Sequence, residues 1–177
     1  MVKELTTDTG KTAPPKFMVE EDTLTKQPLP DGGDWMDRIG QALGLRDQDL
    51  SSMTAMQLIN ANSRVSPSPD NCKRINGIIA AVSEINPKDT LETMLGCQMV
   101  TCNSAIMRLM EQFTNETITE ETVNLYLKTV NRLMLTYARQ LEALSCYRRK
   151  GHQKMTVEHV TIENGGQAVI GDVTGGR

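Results

Sequence analysis

The sequence predicts a mainly α chain: a long antiparallel α-hairpin with small N-terminal helices, a disordered N-terminal arm and a short C-terminal β-hairpin. Three observations carry this prediction. Apolar residues recur every three or four positions over most of residues 86–151. A short polar break divides that stretch, so its two halves should pack side by side. Near the C-terminus, β-branched residues flank an Asn164-Gly165-Gly166 turn of the kind that joins hairpin strands.

The composition fits this class. A chain of 177 residues accommodates one domain with tails. Aromatic residues make up 3% and there are eleven methionines, so flexible thioethers replace large rigid side chains, which suits helix seams. The net charge of −3 argues against a uniformly basic nucleic-acid-binding protein, although a local basic patch remains compatible with it.

The N-terminal residues 1–33 are polar and rich in proline, which predicts a disordered arm. Its few apolar residues offer an alternative, a short docking motif made of Phe17, Met18, Val19 and Leu24, but the composition favours a bare linker.

Small helices are predicted over residues 34–85. Asp34 can cap the first helix and Gly44 can end it. The second is expected from Ser51 or Ser52 to about Asn60, with Met53, Met56, Leu58 and Ile59 as its apolar set. The third should be capped by Asp70 and should bury Ile75, Ile78, Ile79, Val82 and Ile85.

The helical hairpin is predicted over residues 86–151. Asn86 before Pro87 has the pattern of a helix start, and Thr117 with Glu120 has capping-box spacing for the second helix. The first helix should bury Leu91, Leu95, Met99, Cys102, Ile106, Leu109 and Phe113. The second carries a heptad repeat, which we predict to be a seam for packing and self-association: Val123, Leu127, Val130, Met134, Tyr137, Leu141 and Leu144. Tyr126 and Leu133 form a partial second stripe, and Gly151 should end this helix.

The C-terminal residues 152–177 are predicted to form a β-hairpin. Two strands alone are marginal in water, and their unpaired edges can recruit strands from elsewhere, most simply from another copy. The interface residues would be Val157, Val160, Ile162, Val169 and Ile170.

The chain from about Ile79 onward resembles a family of bacterial and prophage proteins to which no biochemical function is assigned. The resemblance rests on Asn86-Pro87-Lys88-Asp89, on Met94–Met99, on Leu141–Leu144 and above all on the tail. There Val157-Glu158-His159-Val160 leads to Gly165-Gly166-Gln167-Ala168 and on to Gly171. Members of that family often carry a further tail histidine where this chain has Thr161 or Glu163. That departure weakens a metal-binding interpretation of this tail.

The residues themselves indicate no catalytic, cofactor or metal centre. His152 and His159 are the two histidines, too few for a zinc site within one chain, although a ring of His159 from several subunits is an alternative. The four cysteines form no C-x-x-C pair, which is typical of free thiols in a reducing compartment. No nucleophile–base motif is present.

Nucleic-acid binding has one basic cluster in its favour: Arg148, Arg149, Lys150 and Lys154, with His152 among them. These charges could contact phosphates, or they could simply complement the dipole at the helix C-terminus. The small helices at residues 35–60 lack the short turn and the basic second helix of a helix-turn-helix motif.

The leading hypothesis is a non-enzymatic, cytoplasmic, self-assembling bacterial or prophage protein, a scaffold or adaptor that works through its C-terminal strands. The alternative is a recognition subunit for DNA packaging, similar in its order of elements to phage small terminase proteins. A third hypothesis is a monomeric adaptor whose tail joins a partner's sheet edge. No membrane span is expected.

Overall fold

The computed structural model describes residues 13–21, 23–62, 68–115 and 119–149. These form two strands and five helices: β1 (Phe17–Glu20), β2 (Thr23–Lys26), α1 (Trp35–Leu43), α2 (Gln48–Asn62), α3 (Pro69–Ile85), α4 (Thr90–Asn115) and α5 (Glu120–Arg148). The mainly α prediction is confirmed. None of the helices in the described ranges combines the length and hydropathy needed to cross a bilayer.

The first three helices enclose a small core together with one face of α4. Ile39, Leu43 and Ile79 in this core are fully buried. The Asp34 side chain caps α1 by accepting hydrogen bonds from two backbone N–H groups, and Gly44 ends the helix at a positive φ of 70°, as the sequence predicted.

Helices α2 and α3 differ in detail from the prediction. In helix α2, Leu58 of the predicted apolar set is buried and Ile59 packs against the core, as expected. Met53 and Met56 are about half exposed or more, and Ser51, Ala55 and Asn62 are buried instead. Ser51 on this inner face lies close to Gly40 of α1, and Asn62 donates a hydrogen bond to the Thr101 hydroxyl of α4. Helix α3 is capped by Ser68 rather than by Asp70, and Pro69 occupies its first turn.

The N-terminal segment contains a β-hairpin, so the prediction of a disordered arm was wrong for its described part. Strands β1 and β2 pair antiparallel, with Phe17 opposite Lys26 and Glu20 opposite Thr23. Glu21 takes a positive φ of 46° in the turn. The sequence has no Asn-Gly pair here to signal this hairpin.

Polar contacts on α3 hold this hairpin in place. The backbone N–H of Phe17 donates to Asn76 Oδ1 (2.8 Å), and Asn76 Nδ2 donates back to the Phe17 carbonyl (2.9 Å). The Cys72 thiol donates to the same carbonyl. The Phe17 ring meets Trp35 edge-on at 4.8 Å, and the Lys26 ammonium lies 5.0 Å from the Trp35 ring centre. Of the four residues of the alternative docking motif, Phe17 and Leu24 therefore pack against the core of their own chain.

At the junction between α3 and α4, one residue ends the first helix and a different residue caps the second, whereas the sequence pattern pointed to Asn86 as the start of α4. Asn86 ends α3 in the left-handed conformation, and Asp89 caps α4 by accepting from the Glu92 backbone N–H (3.0 Å). The hydroxyl of buried Thr93 donates to the Leu43 carbonyl (2.5 Å), which ties the start of α4 to the end of α1.

Helices α4 and α5 run antiparallel along their lengths. Phe113 meets Tyr126 edge-on near the connection, and Arg148 reaches Glu92 at the opposite end. Thr119 caps α5 by accepting from the Thr122 backbone N–H. The predicted cap, Thr117, and the predicted stop, Gly151, lie outside the described residues.

Candidate self-association surface on α5

The heptad seam predicted on α5 divides into two rows that face different surroundings. One row packs within the protomer: Val130 and Leu144 are each 4% exposed, and Tyr137 and Val123 are partly buried. Tyr126 and Leu133, the predicted second stripe, complete this inner seam against Phe113, Cys102 and Ile106 of α4. Val130 packs against Cys102 and Ile106 of α4, and Leu144 is buried as well, so the structure places these two residues of the predicted seam inside the chain.

The other row is open to solvent. Leu127, Met134 and Leu141 are 46%, 48% and 48% exposed. They are spaced by seven residues, close to two helical turns, so they lie in line along α5. The groove between α3 and α5 is lined on the α5 side by Thr129 and Leu133, on the opposite flank of the inner seam. The open row therefore faces away from α3.

Small uncharged residues alternate with this open row. In helical order the surface reads Asn124, Leu127, Asn131, Met134, Ala138, Leu141 and Ser145, with steps of three and four residues. Their side chains are exposed and none of them is ionisable. We call these seven residues the apolar stripe. Large apolar residues alternating with small ones at this spacing are typical of a surface that another helix approaches closely.

A second row, which we call the charged row, runs beside the apolar stripe on the side away from the inner seam. Its members recur every seven residues and are all exposed: Glu121, Lys128, Leu135, Glu142 and Arg149. Leu135, at its centre, is 61% exposed. Leu135 therefore adds exposed apolar surface next to the stripe, in a row whose other members are charged.

Arg148, predicted as a nucleic-acid contact, is engaged inside the protomer. Its guanidinium donates to Glu92 Oε2 from Nε (3.1 Å) and Nη2 (2.9 Å), and Nη2 also donates to the Ile85 carbonyl (2.8 Å) and to the Asn86 carbonyl (3.3 Å). The Glu92 side chain is 4% exposed, so the pair is buried on one side. Arg148, one of the four cations of the predicted basic cluster, is therefore held by contacts within the chain.

A second polar contact lies beside this ion pair. The Tyr147 hydroxyl donates to Asp89 Oδ2 (2.9 Å). The Glu92 backbone N–H, and then the Tyr147 hydroxyl, hold the pKa of Asp89 below its usual range, and the Asp89 carboxylate in turn raises the pKa of Tyr147. These contacts fasten the end of α5 to the start of α4, which explains the acidic and basic residues here as structural.

Several predicted site residues lie outside the described part of the chain. These are the tail residues Val157, Val160, Ile162, Val169 and Ile170, the basic residues Lys150 and Lys154, and both histidines. Within the described ranges, no three His, Cys, Asp or Glu side chains are placed to share a metal ion. Cys146 is exposed, and burial raises the pKa of Cys97 to about 11.

Comparison with protein-family models, with curated proteins and with solved structures gives no match to this chain.

The residues of the open row belong to the heptad pattern in the sequence, but that pattern did not separate them from the residues of the inner seam. Leu127 and Val130 belong to the same heptad pattern, and periodicity alone does not say which half faces α4. The distinguishing signal was Tyr126 and Leu133: counted with Val130 and Tyr137, they define the inner seam and leave Leu127 outside it.

Proposed function

We propose that this protein is a non-enzymatic scaffold or adaptor that assembles with copies of itself, and that the apolar stripe of α5 is the surface through which it does so. The observation that carries the proposal is the open row of Leu127, Met134 and Leu141, each about half exposed on a helix whose neighbouring face is already packed against α4.

The physical argument is the cost of leaving this row in water. Full burial of a Leu or Met side chain is worth roughly 1.5–3 kcal/mol, so covering the exposed half of three of them stabilises a complex by roughly 2–4 kcal/mol per subunit. A second helix is the natural cover, because the row is straight and spans two heptads. The tail residues predicted to pair as strands follow α5 directly, so both surfaces can serve one assembly.

The first test measures mass in solution by light scattering coupled to size exclusion. We expect the full chain to be larger than a monomer and to dissociate with dilution. Leu127→Glu with Leu141→Glu should shift the mass toward that of one chain, because both changes place charges in the covered row. Leu125→Glu is the matched control: Leu125 is 61% exposed on the same helix but lies off the stripe, so its mass should not change.

A full chain that stays monomeric at about 100 µM, a concentration at which even weak specific dimers form, would remove the proposal. So would a double variant with the mass of the unmodified chain. Circular dichroism on each variant separates loss of association from loss of helix.

The contribution of the tail is tested by a truncation to residues 1–152. If the predicted strands join subunits, the truncated chain should form smaller assemblies than the full chain. Equal masses would assign the assembly to the helices and would end the role proposed for the tail.

A further inference from the structure

In the charged row of α5, residues at equal distances on either side of Leu135 carry opposite charges. Lys128 and Glu142 each lie seven residues from Leu135, and Glu121 and Arg149 each lie fourteen residues from it. In both pairs the two equidistant side chains carry opposite charges, and all four are exposed. Seven residues are close to two helical turns, so the whole row keeps to one side of the helix.

This pattern distinguishes between orientations of a partner helix. When α5 meets a reversed copy of itself about a two-fold axis near Leu135, Lys128 faces the partner's Glu142 and Glu121 faces the partner's Arg149. Leu135 then meets the partner's Leu135. In a parallel pair that packs through the same stripe, the charged rows of the two helices would instead lie on opposite sides of the interface, so none of these ion pairs could form.

The apolar stripe has a similar symmetry, centred on Met134, one residue or about 1.5 Å from Leu135. Leu127 and Leu141 lie seven residues to either side of Met134, so a reversed copy presents the same large side chains in the same order. An interface of this kind is isologous: one surface patch on both subunits, closed by a two-fold axis.

We propose, on the basis of the self-association proposed above, that two copies of this chain pair through antiparallel α5 helices. In this pair the two apolar stripes pack together, and Lys128 forms an ion pair with Glu142 of the partner subunit on each side of the axis. The proposal specifies the surface, the orientation and the residue pairs of the assembly. It rests on self-association, but it can fail while self-association holds.

Cysteine crosslinking tests the orientation. In a Cys146→Ser background, which removes the exposed native thiol, Leu135→Cys treated with a short bismaleimide should yield a covalent dimer, because residue 135 lies next to its own copy. Glu121→Cys should not link, because its two copies would lie 28 residues apart along the helices, about 42 Å. Leu125→Cys, as exposed as Leu135, is the matched control for random collision and should also stay unlinked.

Charge exchange tests the ion pairs. Lys128→Glu should weaken dimerisation about tenfold, since it places like charges together at two symmetric positions, and Glu142→Lys should do the same. The double variant Lys128→Glu with Glu142→Lys should recover the original dissociation constant. The control is Arg132→Glu, an exposed charge on the same helix outside both rows.

Equal linking of Leu135→Cys and Glu121→Cys would indicate a parallel pair and overturn the proposal, while leaving self-association intact. A double charge variant no tighter than either single variant would overturn it as well. A monomeric full chain would instead remove the proposed function together with this arrangement.

Discussion

Arg148→Ala should destabilise the fold by about 2–3 kcal/mol. Removing one partner of a buried ion pair typically costs about 3–5 kcal/mol, because the remaining charge stays desolvated. Here the remaining charge is Glu92, whose side chain is 4% exposed and which keeps one hydrogen bond, from the Lys88 backbone N–H at 3.0 Å. The Arg148 side chain is 38% exposed, so water partly replaces it and the cost falls below that range.

The assay is equilibrium unfolding in urea, followed by circular dichroism, in a double-mutant cycle with Glu92→Ala. We expect a coupling free energy of about 1.5–2 kcal/mol between the two positions. Arg148→Lys should recover only part of the loss, because an ammonium cannot reach Glu92 and the two backbone carbonyls together. Arg139→Ala, at an exposed position on α5, is the control and should stay within about 0.5 kcal/mol of the original chain. A coupling near zero would refute the reasoning.

Three further outcomes follow from the structure. Gly44→Ala should lower the free energy of unfolding in urea by at least ~2 kcal/mol, because Gly44 has φ of 70° and an added Cβ would lie 2.3 Å from the Pro87 carbonyl oxygen. Gly77→Ala should instead raise it by about 0.5–1 kcal/mol, because Gly77 lies within α3 and an added Cβ would meet nothing within 4 Å. Burial raises the pKa of Cys97 from 9.0 to about 11, so the folded chain keeps the thiol proton at pH values where the unfolded chain has lost it. The free energy of unfolding should therefore fall as the pH rises from 9 to 11, by at most ~3 kcal/mol. Cys97→Val should remove this pH dependence. In native protein at pH 8, a thiol reagent should label exposed Cys146 well before the other cysteines, and equal rates would contradict the burial described.

The long helices were predictable because their signals are local and redundant. The apolar spacing in α4 and α5 extends over many turns, and caps such as Asp34 and Gly44 act within one turn of chain. The capping residues at the α3–α4 junction were harder to predict. Asn86 suits either the start of a helix or a left-handed helix end, and the choice depends on where Asp89 lies relative to the first turn of α4.

The N-terminal hairpin and the role of Arg148 were not predictable from local sequence. The hairpin depends on Asn76, which lies 59 residues from Phe17 and supplies the hydrogen bonds that a third strand would otherwise give. Arg148 suits the end of any helix, and its pairing with Glu92 requires knowing that two helices of this length end side by side. In both cases the deciding partner is distant in the chain.

The length of α5 has a consequence for the size that an assembly can reach. The helix has 29 residues and so extends about 43 Å. In the proposed antiparallel pair, the segments that follow the two α5 helices would start from opposite ends of a unit of this length. If those segments join subunits as proposed, each pair would have two joining ends, and pairs could extend into open chains or close into rings at a protein concentration that sets the size.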